Sequence, residues 1–211
     1  MRHAPSLVAL LAIACASPTP GAGDGGSDGG EAPTVTIEFA DACAPFTACA
    51  SDVHGTWTLE HVCIERGRLW PTVKTFCSTA TLSGLSGTTS GTLSSSVTEL
   101  RRDVSTSLSG TITLPAACLT HGADCSYLRD SLVAMLHATV SCAGSESCEC
   151  TVSDVRVTHA SAPITVTGQA FTTNPGTSSE RTFDVCATGS TLTFRETASP
   201  DADPAIYTLA R

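Results

Sequence analysis

The run Val104–Leu114, VSTSLSGTITL, limits what this chain can become more than any other stretch. Val104, Leu108, Ile112 and Leu114 fall on one side of a two-residue period, and Ser105, Ser107, Ser109, Thr111 and Thr113 on the other. Side chains of a strand alternate between faces, so this pattern makes one apolar and one hydroxyl-lined face, whereas a helix would scatter both sets around its axis. Shorter alternating runs occupy Thr56–Ile64, Thr151–Val157, Ile164–Thr167, Thr182–Val185, Thr191–Phe194 and Ile206–Leu209. Gly84, Gly87, Gly91, Asn174-Pro175-Gly176, Gly189 and Asp203-Pro204 read as turns between them. Many short strands with one polar face predict an all-β fold, a small antiparallel barrel or sandwich. Charged residues are only 15% of the chain, which disfavours long exposed helices and suits strands with Ser and Thr on the wet side.

One segment has the other period. In Ser126–Thr139, Leu128, Leu132, Met135 and Leu136 recur at helical spacing, and Ser126 stands where a cap belongs. This predicts one amphipathic helix packed on the sheet. His137 falls within it and reads as a structural histidine.

Eleven cysteines mark an oxidising compartment, because structural disulfides do not persist in the cytosol. Ten of them (Cys43, Cys49, Cys63, Cys77, Cys118, Cys125, Cys142, Cys148, Cys150 and Cys186) lie in the predicted domain and read as up to five disulfides. On a strand Cys148 and Cys150 share a face, so they reach different partners. The expected pairs include Cys63 with Cys77 and Cys150 with Cys186. A zinc site from Cys142, Cys148, Cys150 and His137 is the alternative; its ligand types suit tetrahedral zinc, but the spacing matches no zinc motif. The preferred assignment contains no metal and no cofactor.

The eleventh cysteine stands apart. Residues 1–14, MRHAPSLVALLAIA, have a basic start, a short apolar stretch and small residues at Ala12 and Ala14. This predicts a secretory signal peptide, too short to span a membrane. The Ala-Ile-Ala-Cys ending resembles a bacterial lipobox, although Ala12 stands where that motif usually has Leu. The resemblance implies cleavage before Cys15 and acylation of Cys15 with palmitate-type chains. Ordinary cleavage after Ala14 or Ala16 is the rival. The resemblance to sorted lipoproteins implies, with Ala16 rather than Asp after the cysteine, an outer-membrane anchor. Residues 15–33 then form a Gly/Asp/Pro tether with a root-mean-square reach of roughly 20–25 Å, and its single Gly-Asp-Gly-Gly reads as linker rather than a calcium loop. The domain is expected over 34–211.

Gly55-Thr56-Trp57 followed by a strand resembles the opening of lipocalin-like domains, in which the Trp closes one end of an eight-stranded barrel. Pro45-Phe46 to Cys49, Gly55-Thr56-Trp57, a cysteine on the first strand, a cysteine-flanked helix and Cys186-Ala187-Thr188-Gly189-Ser190-Thr191-Leu192 together resemble a group of lipocalin-like lipoproteins from myxobacteria. The mid-chain helix departs from typical lipocalins, which carry theirs late. The resemblance implies a lipocalin-like β-barrel with Gly55 and Trp57 structural at its end, and a small apolar or amphipathic ligand. The alternative is a non-catalytic structural or interaction lipoprotein with a filled barrel.

A net charge of −9 with Lys74 as the only lysine excludes a phosphate-backbone partner, so no nucleic acid is expected. The expected partner is the membrane, through the N-terminal lipid; oligomeric state stays open. No nucleophile elbow, His-Glu-x-x-His, P-loop or dinucleotide fingerprint occurs, and the chain is not read as an enzyme. Asp52 and His54 are expected at an exposed barrel end, Arg101-Arg102-Asp103 in a solvated turn, and His121-Gly122-Ala123-Asp124 in a loop. Glu60 and His61 are expected on opposite faces of one strand.

Overall fold

The structure, a computed structural model, describes residues 32–49, 52–119, 124–197 and 205–211. The signal peptide, Cys15, nearly all of the tether, His121-Gly122-Ala123 and Asp203-Pro204 lie outside the described residues. In chain order the elements are β1 (Val35–Ala40), β2 (Gly55–Glu65), α1 (Pro71–Phe76), β3 (Thr81–Ser95), β4 (Glu99–Leu114), α2 (Cys125–Leu136), β5 (Thr139–Ala143), β6 (Cys148–Thr167), β7 (Ala170–Thr173), β8 (Arg181–Thr188), β9 (Thr191–Glu196) and β10 (Ala205–Ala210). The chain is mostly β, as its alternation predicts.

All ten strands belong to one sheet. Starting at β2, antiparallel pairings run through β3, β4, β6, β7, β8, β9 and β10 and return from β10 to β2. Two strands are added to this ring of pairings. β1 enters where β2 and β3 diverge, parallel to β2 and antiparallel to β3. β5 pairs with the first part of β6, on the side away from β4, and β7 with the last part on that same side.

The apolar face of β4 behaves as its sequence demands. Leu100, Leu108, Ile112 and Leu114 are buried, and Ser105 and Ser107 between them are exposed. Burial alternates along β6 as well, but there Asp154 takes the inner face and Val155 and Val157 the outer one; Thr151–Val157 and Ile164–Thr167 prove to be parts of this single strand. α2 packs Leu128, Leu132 and Leu136 fully out of solvent, with Met135 at the margin. Its cap is Asp124, not Ser126: the Asp124 carboxylate accepts from the Tyr127 backbone N–H at 2.9 Å, and the Ser126 hydroxyl donates to that carboxylate at 2.7 Å. His137 sits just past the helix as its left-handed terminator, with φ of 52°, exposed to solvent.

Three glycines read as turns are interior to β3. A Cβ on Gly87 would lie 2.8 Å from the Ser107 carbonyl, and one on Gly91, at φ +135°, would lie 2.1 Å from the Asp103 carbonyl. Gly87 and Gly91 therefore mark close approach to β4 rather than a reversal. Gly84, at φ +58°, stands at the register shift between Ser83 and Ser86.

Candidate functional site

The interior of the sheet is the first place to look for a site, and it has two parts. On the β7–β10 side Phe171 stacks on Phe183 at 4.8 Å, Phe194 stacks on Tyr207 at 5.0 Å, and Phe194 meets both Phe171 and Phe183 edge-on. These rings arrive together because alternate positions of neighbouring strands point inward: Phe171 faces Phe183 across β7–β8, and Phe194 faces Tyr207 across β9–β10. They line, with Leu59, Leu93 and Leu100, a void of about 40 Å³. That is space for roughly one water, far below the several hundred Å³ of a small-molecule site.

Charge enters this interior in satisfied form. Arg181 donates to the Glu196 carboxylate at 2.8 Å and 3.1 Å. Arg102, expected in a turn, is on β4 and buried; Arg101 before it is exposed on the outer face, and Asp103 after it meets His159 across the strands. The turn assignment fails because the hydrophobic alternation of β4 continues through Leu100 and carries Arg102 inward with it. On the helix side Asp154 is buried against Arg156 at 2.9 Å, and Arg156 also donates to the Leu136 carbonyl, closing the end of α2.

Trp57 is buried at the end of the ring where β2 starts. Its indole N–H donates to the Val53 carbonyl at 2.9 Å, and the Arg211 guanidinium lies 4.0 Å from the ring centroid while donating to the His54 carbonyl. Gly55, at φ +113°, lets the chain turn into β2 beneath that guanidinium. Asp52 and His54 are exposed at this end.

Glu60 and His61 both face solvent, contrary to the opposite-face expectation. β10 pairs Thr208 with His61 but Leu209 with Leu59, so Glu60 is an extra residue in the ladder. This bulge turns two successive side chains outward. His61 then reaches Glu38 on β1 at 3.0 Å, an exposed pair.

The ten domain cysteines form five bridges: Cys43–Cys63, Cys49–Cys186, Cys77–Cys118, Cys125–Cys148 and Cys142–Cys150. Cys148 and Cys150 do go to different partners, but the expected Cys63–Cys77 and Cys150–Cys186 pairs are wrong. Cys142 and Cys150 are directly opposite across β5–β6, a pairing that no spacing rule announces without knowing the β5 register. With their sulfurs in bridges, Cys142, Cys148 and Cys150 offer no thiolate to zinc; no group of three metal-ligating side chains occurs among the described residues.

The Asp124 carboxyl at the start of α2 is stabilised in its charged form. The Tyr127 backbone N–H, then the Ser126 hydroxyl, hold its carboxyl below the ordinary value of 3.8. This is the chemistry of a helix cap, not of a catalytic acid. No helix among the described residues is long and apolar enough to cross a membrane. No protein-family model, curated protein or solved structure matches the chain.

Proposed function

We propose that this protein is an envelope lipoprotein, anchored by an acylated Cys15, whose lipocalin-like domain is a filled, non-catalytic scaffold that works through its surface. The observation carrying this is the interior. A barrel built to hold a small apolar molecule keeps a cavity of several hundred Å³, whereas here Phe171, Phe183, Phe194 and Tyr207 leave about 40 Å³. The lipocalin-like assignment rests on the eight-strand ring of antiparallel pairings, closed last strand to first. It also rests on Trp57 sealing one end of that ring. The anchor rests on the sequence before residue 32 alone, and the five bridges fit an oxidising compartment.

The test is intact mass of protein purified from its host's membranes, measured denatured and native. The expected denatured species begins at an acylated Cys15 and carries five disulfides, and the expected native species retains no small molecule. A stoichiometric apolar ligand in the native spectrum overturns the filled scaffold. An unacylated start overturns the anchor.

A further inference from the structure

β6 is paired with β4 over 148–163, but on its other side only at its two ends. β5 covers Glu149–Ser153 and β7 covers Ile164–Thr167, with the Asn174 N–H adding a bond to the Pro163 carbonyl. Between them 154–162 has no strand partner on that side among the described residues. The direction of its backbone groups follows from two bonds. The Ile164 N–H donates toward β4, to the Thr98 carbonyl, while the Pro163 carbonyl accepts from the β7 side. Backbone polar groups of a strand alternate sides, and the β4–β6 register is unbroken here. Val155, Val157, His159 and Ser161 therefore aim their N–H and C=O groups into the open stretch. Their side chains lie on the outer face, where Val155 is 68% and Val157 61% exposed.

We infer that this recessed edge is a docking site for an extended peptide segment of a protein partner, added as a strand beside β6. The inference rests on the non-catalytic interaction reading and names the kind of partner. The edge recognises polypeptide backbone because a row of alternating donors and acceptors is complementary to another strand. Its span of about 23 Å admits roughly seven residues. It lies between β5 and β7, which project on the same side, so a second folded copy cannot bring its own β6 edge into register. At the β5 end a groove of about 600 Å³, walled by Val133, His137, Ser153 and Val155, gives room for a terminal side chain. The exposed valines and the adjacent Ser105 and Ser107 call for neutral β-branched residues opposite. At the other end exposed Arg101, across from Ser161 and with no ion pair among the described residues, calls for an acidic residue. In the antiparallel sense that residue is at the start of the peptide.

The probe is a fluorescein-labelled peptide, Glu-Thr-Thr-Thr-Val-Thr-Val, titrated against the full chain by anisotropy. Saturable binding is expected. Val157→Pro removes an N–H that faces the opening and spares the bonds to β4, so it is compatible with folding at an edge. Far-ultraviolet circular dichroism and the thermal midpoint check that compatibility. Val157→Pro is expected to weaken binding at least about tenfold. Independently of any variant, N-methylating the fifth peptide residue, whose N–H faces β6, abolishes binding, and N-methylating the fourth leaves it intact. Absence of saturable binding to the wild-type chain, or binding indifferent to both the proline and the fifth-residue methyl, overturns the site. Neither result bears on whether a small molecule is retained in the interior, which the native mass spectrum decides separately.

Discussion

The two sides of the interior are held in different ways. On the β7–β10 side two connections, β6–β7 at Gly168 and β8–β9 at Gly189, are tight reversals with positive φ, β7 and β8 are joined over 174–180, and inward aromatic side chains meet each other directly. That side carries one bridge, Cys49–Cys186, whose partners are 137 residues apart. On the side of α1, α2 and β5 the buried side chains are mostly aliphatic, and the elements come from separated parts of the chain. Three bridges, Cys77–Cys118, Cys125–Cys148 and Cys142–Cys150, gather there. Sequential hairpins with large rings need little help to stay together, since their closure is local and each ring buries much surface. A short helix laid over a five-residue edge strand has neither advantage, and cross-links supply what packing does not.

The largest test of this contrast is Phe171→Ala. Phe171 is 2% exposed and touches both Phe183 and Phe194. Its removal should cost about 3–5 kcal/mol, read as a lower denaturant midpoint at unchanged slope. A cost near about 1 kcal/mol, the middle of the range for ordinary substitutions, would mean that the rings do not carry that side. Next, replacing Cys77 and Cys118 by Ser together should cost roughly 4 kcal/mol, because the bridge closes a long loop between α1 and the end of β4. Cys142→Ser with Cys150→Ser comes third, at roughly 2–3 kcal/mol, since that loop is short. Its effect should be regional. Amide hydrogen exchange should quicken in α2 and β5 and stay slow in β8–β10. Equal quickening on both sides would break the contrast.

Much of the aromatic side is legible in the order of residues alone. Thr182–Val185, Thr191–Phe194 and Ile206–Leu209 alternate cleanly, and each is a strand close to its predicted bounds. The other side is less so. β5 is only TVSCA, too short for its period to show, and β3 is hidden by glycines that serve close strand contact instead of reversal. Arg102 and Glu196 point inward because register overrides the ordinary preference of charge for solvent. The open edge of β6 is invisible in sequence, because nothing in residues 154–162 shows that β5 covers β6 only as far as Ser153 and β7 only from Ile164.

The smallest effect expected sits at the start of α2. Asp124 caps the helix with its carboxylate, which the Tyr127 N–H and the Ser126 hydroxyl stabilise in the charged form, so its folded pKa is depressed. A group whose folded pKa lies below its unfolded value lends full stability above the unfolded value, near 3.8, and loses it as pH falls through the folded one. The wild-type chain should therefore lose this contribution only below about pH 4. Asp124→Asn, which still caps but carries no charge, should lower stability at neutral pH slightly and flatten that acid dependence. Parallel thermal melts of both proteins from about pH 7 down to about pH 2 read the difference. The gap between the two midpoints should shrink toward low pH, and with it any difference in the exchange of the first-turn amides of α2. A gap that is constant with pH would assign Asp124 a geometric role alone.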